Sequence, residues 1–289
     1  MQAELKKEIA EDPLLRAEFD ALAKQTFGIS FESWYRAGCW KNNYRPYTLF
    51  SGGKAVSNVS VSPMRFRLDK TARSAVQLGT VMTDPTYRKN GLAAFLMQTV
   101  LLENRADCDW LFLFANSSVL EFYPRFGFER TREYRCVKPV AGGFGSARRL
   151  SLSDPEEFAL LKEHAARSNP FAVLRMEQNW ELIQFYTSSV LRDGVFFVPE
   201  QDAVVLAEQD GETMICYDIF CSGEKDPEQI LRAAALPGTR RIELGWFPAD
   251  TAGCRVEKLE NDDDALFWLK GKENPFAERP LRFPLLAHT

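Results

Sequence analysis

Histidine is nearly absent from this sequence of 289 residues, and its few cysteines are scattered. The two histidines are His164 and His288, and none of the six cysteines forms a Cys-x-x-Cys pair. A structural zinc site needs clustered cysteine and histidine ligands, so the sequence predicts no metal site. Scattered cysteines are typical of a reduced intracellular protein, and we therefore expect a cytoplasmic location.

Long apolar runs are also lacking. No stretch approaches the roughly 18 consecutive apolar residues of a transmembrane helix, and the charged segment 1–12 has no apolar core of the secretory-signal type. We therefore expect no membrane partner. The sequence also lacks the Gly-Lys-Ser/Thr ending of a Walker loop and the three glycines of a dinucleotide-binding fingerprint.

The two signs of charge are unevenly divided along the chain. Residues 1–140 hold 20 basic and 15 acidic residues, a net charge of +5, whereas residues 141–289 hold 16 and 25, a net charge of −9. The sign of the net charge changes at 141–147. This segment is rich in glycine and alanine, which predicts a linker. The predicted organisation is a domain at 1–140, a linker at 141–147 and a second domain at 148–289.

Apolar periodicity predicts an α/β protein with a mixed sheet, followed by a second, smaller α/β domain. The first domain begins directly with helices, and Trp110 to Ala115 reads as a strand buried on both faces. In order, the predicted elements there are helices at 14–27 and 31–40, strands at 47–50, 54–68 and 76–83, a helix at 91–103, a strand at 110–115, a short helix at 118–123 and a strand or hairpin at 126–140.

The second domain has its own helix and turn signals. Asp154-Pro155 is a typical helix start, and Asp210-Gly211 is a hairpin turn between two strands. The predicted elements are a helix from 155, a helix at 176–191, strands at 195–198, 203–208 and 212–220, a helix at 227–235 and a strand at 241–245.

One segment carries a chemical signal. A strand ends at Asp84-Pro85, and a polar turn leads into a helix at Gly91. The first N–H groups of a helix have no partners within the helix and lie at the positive end of its dipole, so they favour a phosphate. Gly91 lets a ligand approach the backbone, and Arg88 and Lys89 add positive charge. The spacing therefore predicts a phosphate site here, although a polar turn of ordinary structure would look similar.

The same segment resembles the cofactor motif of the GNAT N-acetyltransferase superfamily. Residues 83–93 read Thr-Asp-Pro-Thr-Tyr-Arg-Lys-Asn-Gly-Leu-Ala, similar to the family's turn and helix start. The family's second signature follows in order, as Asn116 and then the run 122–128, Phe-Tyr-Pro-Arg-Phe-Gly-Phe. The resemblance covers residues 14–138. It implies a GNAT-like acyltransferase fold, and the order of elements after 147 resembles a degenerate second unit of the same kind.

The resemblance implies acetyl-CoA as cosubstrate, with its pantetheine arm between two diverging strands. Tyr123 would be the general acid that protonates the departing thiolate, or alternatively a packed aromatic residue. The alternative role of Arg88 is that of a charged surface residue. The alternative role of Asn116 is to cap the short helix that follows it. The implied cofactor-binding residues are Val81, Met82, Thr83, Arg88, Lys89, Asn90, Gly91, Leu92, Ala93 and Asn116.

The resemblance leaves the general base open. Some members use a glutamate on the strand before the cofactor turn, and the corresponding position here is near Gln77, which is not a useful base. Glu32, Asp84, a water chain or the C-terminal carboxylate of Thr289 are the alternatives. His164 and His288 are interpreted as bystanders.

The predicted function is transfer of an acetyl group from acetyl-CoA to a primary amine of a small molecule or peptide. A non-catalytic acyl-CoA-binding or sensing module is the alternative, favoured if a base is absent. A ligase using aminoacyl-tRNA, of the Fem type, would need a basic face across both domains, and the net charge of −9 in the second opposes it. We expect no nucleic-acid partner, and the acidic second half suggests a multiply cationic acceptor.

Overall fold

The computed structural model describes residues 2–289 and places them in seven α-helices and fifteen β-strands. The elements up to residue 139 are β1 (Glu4–Lys6), α1 (Pro13–Phe27), α2 (Glu32–Arg36), β2 (Arg45–Ser51), β3 (Lys54–Leu68), β4 (Thr71–Thr83), α3 (Leu92–Asn104), β5 (Trp110–Ala115), β6 (Phe128–Arg130) and β7 (Glu133–Pro139). The later elements are β8 (Arg148–Arg149), α4 (Pro155–Ala165), β9 (Leu174–Glu177), α5 (Trp180–Ser188), β10 (Val195–Val198), β11 (Ala203–Asp210), β12 (Thr213–Phe220), α6 (Pro227–Ala234), β13 (Arg241–Leu244), β14 (Arg255–Leu259), β15 (Ala265–Leu269) and α7 (Pro275–Glu278).

The helix ends follow from their capping residues. The side chain of Asp12 accepts hydrogen bonds from the first amides of α1, and Gly28 ends that helix with a φ of 72°. Asp154 and Asp226 cap α4 and α6 in the same way, each followed by proline at the first helical position. These boundaries agree with the signals in the sequence.

The first sheet contains eight strands in the order β1-β2-β3-β4-β5-β15-β6, and β9 pairs with the end of β3. Its first four strands are antiparallel neighbours, whereas β5 runs parallel to β4 and is reached through α3. Residues 110–113 of β5 have no exposed surface, as predicted for a strand buried on both faces. The mixed α/β fold is confirmed.

The second sheet repeats this arrangement with seven strands in the order β14-β7-β13-β12-β11-β10-β8. Here β13 runs parallel to β12 and is reached through α6, as β5 is reached through α3. Each sheet ends in two further antiparallel strands, β15 and β6 in the first and β7 and β14 in the second. The chain therefore contains two units of the same topology.

The two units exchange strands. β7 lies in the second sheet although it comes from the first half of the chain, and β15 lies in the first sheet although it comes from the second half. The connecting segment 141–147 packs along α6, where the amides of Phe144 and Gly145 donate to Arg232 O and Ala235 O, both at 2.9 Å. A side chain at Gly143 would collide with the Ala235 carbonyl, so this segment is closely packed.

Several local predictions were wrong. The chain begins with a strand, β1, whose pairing with β2 was hidden by its charged residues. Residues 126–140 form two strands in different sheets instead of a hairpin. The helix predicted over 176–191 is the end of β9 followed by the shorter α5, and the helix predicted over 31–40 covers only Glu32–Arg36. Tertiary pairing outweighed local periodicity in these places.

No helix within residues 2–289 is long and apolar enough to span a membrane.

Candidate active site

A wedge opens in the first sheet between β4 and β5. Their parallel pairing runs from Ala75 and Trp110 to Leu78 and Leu113 and ends there, although both strands continue. A β-bulge in the pairing of β4 with β3 bends β4 at this point, and Thr80 has a φ of 48°. The backbone of β4 beyond Leu78 therefore lacks a partner strand on the side of β5.

Buried polar groups hold the bulge in place. Asn58 donates to the Thr80 carbonyl at 2.9 Å, and the Tyr44 hydroxyl lies 2.8 Å from Thr80 Oγ1. Ser60 and Thr48 donate in turn to Tyr44 and Asn58. Burial raises the pKa of Tyr44, so this phenol stays neutral within the network. The strained backbone at Thr80 is thus fixed by hydrogen bonds to its carbonyl and to its hydroxyl group.

The turn after β4 presents free amides. Asp84 accepts hydrogen bonds from Thr86, which lower the pKa of Asp84 and close the turn. Gly91 is the N-cap of α3 with a φ of 77°, and the first turn of the helix has neither a side-chain cap nor an acidic residue. No atom lies within 4 Å of the position of a Cβ on Gly91. The start of α3 is therefore open to an anion.

The wedge, the turn and the segment after β5 enclose one pocket of about 1020 Å³. Asn90 is the exception among the predicted cofactor-binding residues, since its amide donates instead to Tyr87 O and Arg88 O and supports the turn. Asn116 also accepts from the Ser118 amide as a helix cap. The predicted residues that line the pocket are Val81, Met82, Thr83, Arg88, Lys89, Gly91, Leu92, Ala93 and Asn116.

Tyr123 lies in the wall of the same pocket, at the start of a 3₁₀ turn that ends at Gly127. Its ring packs against Phe122 and Phe267, the latter on β15 from the second half of the chain. Burial raises the pKa of Tyr123 to about 12, so its phenol keeps its proton at neutral pH. The residue can therefore donate a proton to a group bound in the pocket.

The C-terminal segment enters the site between the two units. Asn179 donates to Leu286 O at 2.7 Å, and the Tyr186 hydroxyl donates to His288 O at 3.2 Å. Gln77 on β4 donates to Ala287 O at 3.0 Å and accepts from the Thr289 amide at 3.1 Å, in the amide orientation that satisfies both groups. Gln77, near which the resemblance would place a glutamate, thus binds the C-terminal segment.

Thr289 contacts the bulged strand directly. A Cβ on Gly79 would come within 3.0 Å of Thr289 O, so only glycine fits there without a shift. Thr289 lines the pocket of about 1020 Å³ described above, which we call the donor-side pocket. It also lines a second cavity, of about 870 Å³. The walls of this second cavity come from both units. Thr80, Phe27 and Thr289 line both spaces, which therefore meet at the bulge.

His288 belongs to the site, contrary to its interpretation as a bystander. Its ring stacks on Phe114 at a centroid distance of 3.8 Å, and its Nδ1 lies 3.2 Å from Asp264 Oδ2. Asp264 lines the donor-side pocket and His288 lines the second cavity. No pattern in the sequence signals this pair, because the C-terminal segment has no apolar period. His164 differs, since it is buried and bonded to Asp202 at 3.0 Å as a packing residue.

Glu32 is held in ion pairs outside both cavities. It forms ion pairs with Arg16 at 3.1 Å and Arg36 at 2.9 Å, and its hydrogen bonds to them lower the pKa of Glu32. A carboxylate stabilised in this way is a poorer base. Asp84 is bound to its own turn in the same manner. Of the candidate bases, Thr289 lines both spaces, whereas Glu32 and Asp84 line neither.

The region that builds the wedge and turn matches a known family. A family model described as an acetyltransferase (GNAT) domain matches residues 17–131. Residues 17–131 are therefore similar to a GNAT acetyltransferase domain. The family model does not extend to the second unit, which shares the strand order of the first.

Solved structures share the fold over most of the chain. A protein of Enterococcus faecalis V583, described as a probable N-acyltransferase, has a TM-score of 0.58 at 14% identity, with 93% of this chain and 72% of that one covered. A GCN5-related N-acetyltransferase from Kribbella flavida has a TM-score of 0.59 at 15% identity, covering 92% and 71%. Eis1 from Mycobacterium abscessus has a TM-score of 0.51 at 15% identity, covering 92% and 73%. No curated protein sequence matches significantly.

Proposed function

We propose that this GNAT protein transfers the acetyl group of acetyl-CoA to a primary amine by direct attack in a ternary complex. The observation that carries the proposal is the junction of two spaces at Thr80 and Thr289. One space has the wedge and the open helix start that suit a pantetheine arm and a pyrophosphate. The other gives an acceptor its own route to the same point.

The donor would bind along β4. The unpaired backbone of residues 79–83 offers hydrogen bonds to the amides of pantetheine. The amides at the start of α3, with Arg88 and Lys89 beside them, would bind the pyrophosphate. This places the thioester near Gly79 and Thr80, where the two spaces meet.

The chemistry needs one acid and one base. The amine nitrogen attacks the thioester carbon, the C–S bond breaks, and the sulfur takes the proton of Tyr123. The proton lost by the amine goes to a base at the junction. In a chain that ends at Thr289, its terminal carboxylate would fill this role, because it would lie beside Gly79 where the two spaces meet. Asp264 and Phe114 hold the ring of the preceding residue, His288, in position.

Thiol release from acetyl-CoA in the presence of a panel of primary amines tests the proposal. We expect stoichiometric release of coenzyme A with at least one amine, and calorimetric binding of coenzyme A to the wild type. Gly91→Asp should abolish that binding, because a carboxylate at the start of α3 repels the phosphates.

Gly211→Asp is the matched control, since Gly211 also has a positive φ, 54°, and open space around its Cβ position. It places the same residue in a turn of the second unit. Coenzyme A binding without any amine-dependent thiol release would favour the sensing module instead. Equal affinity in folded Gly91→Asp protein would overturn the donor site.

A further inference from the structure

The second cavity, which we call the acceptor cavity, is enclosed by both units. It lies over the first sheet and is closed by α2, by α5 and by the C-terminal residues His288 and Thr289. Its volume of about 870 Å³ is within the range of small-molecule sites. Its shared wall with the donor-side pocket at Thr80 and Thr289 determines where the reacting nitrogen must lie.

Aromatic rings line the acceptor cavity. Phe185 of α5 stacks on Phe31 at 6.0 Å and meets Trp34 edge-on at 6.2 Å. The Trp34 indole N–H is already bonded to Glu181 O at 2.8 Å, so its ring offers only apolar surface. These rings provide a rigid wall that is complementary to another flat apolar group.

The mouth of the acceptor cavity is apolar as well. Phe27 and Ile29 line it with 41% and 40% of their surfaces exposed, although both are large hydrophobic residues. Apolar side chains exposed at the mouth of a pocket gain free energy when an apolar ligand covers them.

The charged groups in the wall are largely neutralised. Glu181 is paired with Lys41 at 2.9 Å, and Glu177 is paired with Arg67 at 2.7 Å. Arg65 and Asp107 add one charge of each sign to the same lining. Apart from a carboxylate at Thr289, the charges in the wall therefore nearly cancel, whereas a multiply cationic acceptor would need several unpaired negative charges to replace its lost hydration.

We infer that the acceptor is a primary amine carried on an aromatic or bulky apolar body, of the arylalkylamine class. The body lies between the ring of Phe185 and the mouth at Phe27 and Ile29, with the amine directed toward Thr80 and Thr289. This inference rests on the proposed function for the reaction itself, but the binding preference is independent of catalysis.

The test compares kcat/KM for 2-phenylethylamine, ethanolamine and spermidine. Burying a phenyl group should favour 2-phenylethylamine over ethanolamine by roughly 10–100-fold. Ile29→Asn should lower this ratio about fivefold, by making the mouth polar. Leu14→Asn is the control, since Leu14 lies on α1 outside the cavity lining with 77% of its surface exposed, and it should keep the wild-type ratio.

Calorimetric titration of 2-phenylethylamine into the protein saturated with coenzyme A gives a second readout. Binding that is weakened by Ile29→Asn but not by Leu14→Asn supports the inference even if no amine is acetylated, in which case only the proposed function fails. A preference for spermidine or ethanolamine, or no binding of 2-phenylethylamine, overturns the inference and leaves the proposed function standing if transfer is observed.

Discussion

Tyr123 and Gln77 show how the environment of a single residue determines its use. Burial keeps the Tyr123 phenol protonated, so it suits the role of an acid. Gln77 lies near the position at which the resemblance would place a glutamate, and its amide donates to Ala287 O and accepts from Thr289 N–H. A glutamate there would lack the donor for Ala287 O, so the amide suits a site that takes its base from the C-terminal segment.

Tyr123→Phe should lower kcat by roughly 10²–10⁴-fold, the usual range for general acid–base groups, while coenzyme A affinity stays unchanged. Since the pKa of Tyr123 is about 12, the acid form persists through pH 10, and kcat should fall only above that pH. Tyr217→Phe is the control, because burial raises the pKa of Tyr217 to about 12 in the second unit, outside the donor-side pocket. A fully active Tyr123→Phe protein would leave Tyr123 as a packing residue.

Among the elements, β4 and the C-terminal segment together form the junction of the two cavities. The bulge at Thr80 opens the wedge, and Gly79 beside it lets Thr289 approach the strand. The segment is held at several points, by Asn179, Tyr186 and Gln77. The site therefore depends on an irregularity in a strand and on a segment without regular structure.

Gln77→Leu should lower kcat by roughly 10²-fold, since it releases Thr289 from β4 while keeping the side chain's volume. Coenzyme A affinity, measured by calorimetry, should be retained. Adding Gly-Ser after Thr289 should lower kcat similarly in a protein with intact Gln77, because it displaces the carboxylate. Unchanged kcat in the extended protein would rule out the terminal carboxylate as the base.

At the scale of the whole molecule, the exchange of β7 and β15 joins the two units. β15 fills the space between β5 and β6, and its Trp268 is 2% exposed and stacks on Phe112 of β5. β7 lies between β13 and β14 of the second sheet. Each unit thus completes the core of the other, and the acceptor cavity lies where they meet.

A fragment of residues 1–140 should fail to fold cooperatively, because the apolar edge of β5 would lose β15 and β7 would lose both partners. The full chain should unfold in urea as one transition, with circular dichroism and tryptophan fluorescence coinciding. A cooperative transition in the isolated fragment would instead support the division at residue 140 that the sequence predicts. Separate transitions in the full chain would do the same.

The sequence by itself determined the parts that depend on local chemistry. Residues 83–93 predicted the turn and helix start, Asp154-Pro155 predicted the start of α4, and the apolar run 110–115 predicted a buried strand. Capping, turn geometry and apolar patterning act over a few residues, so they can be seen in the sequence.

Only the tertiary structure decided the partners of β7 and β15 and the location of Thr289 and His288. The sequence predicted a strand or hairpin over 126–140 because nothing local to these residues specifies a partner more than a hundred residues away. His288 reaches Asp264 and Phe114 only because the sheets interlock and draw the C-terminal segment between them. Strand pairing and side-chain contacts between distant segments are set by packing of the whole chain, which no short pattern records.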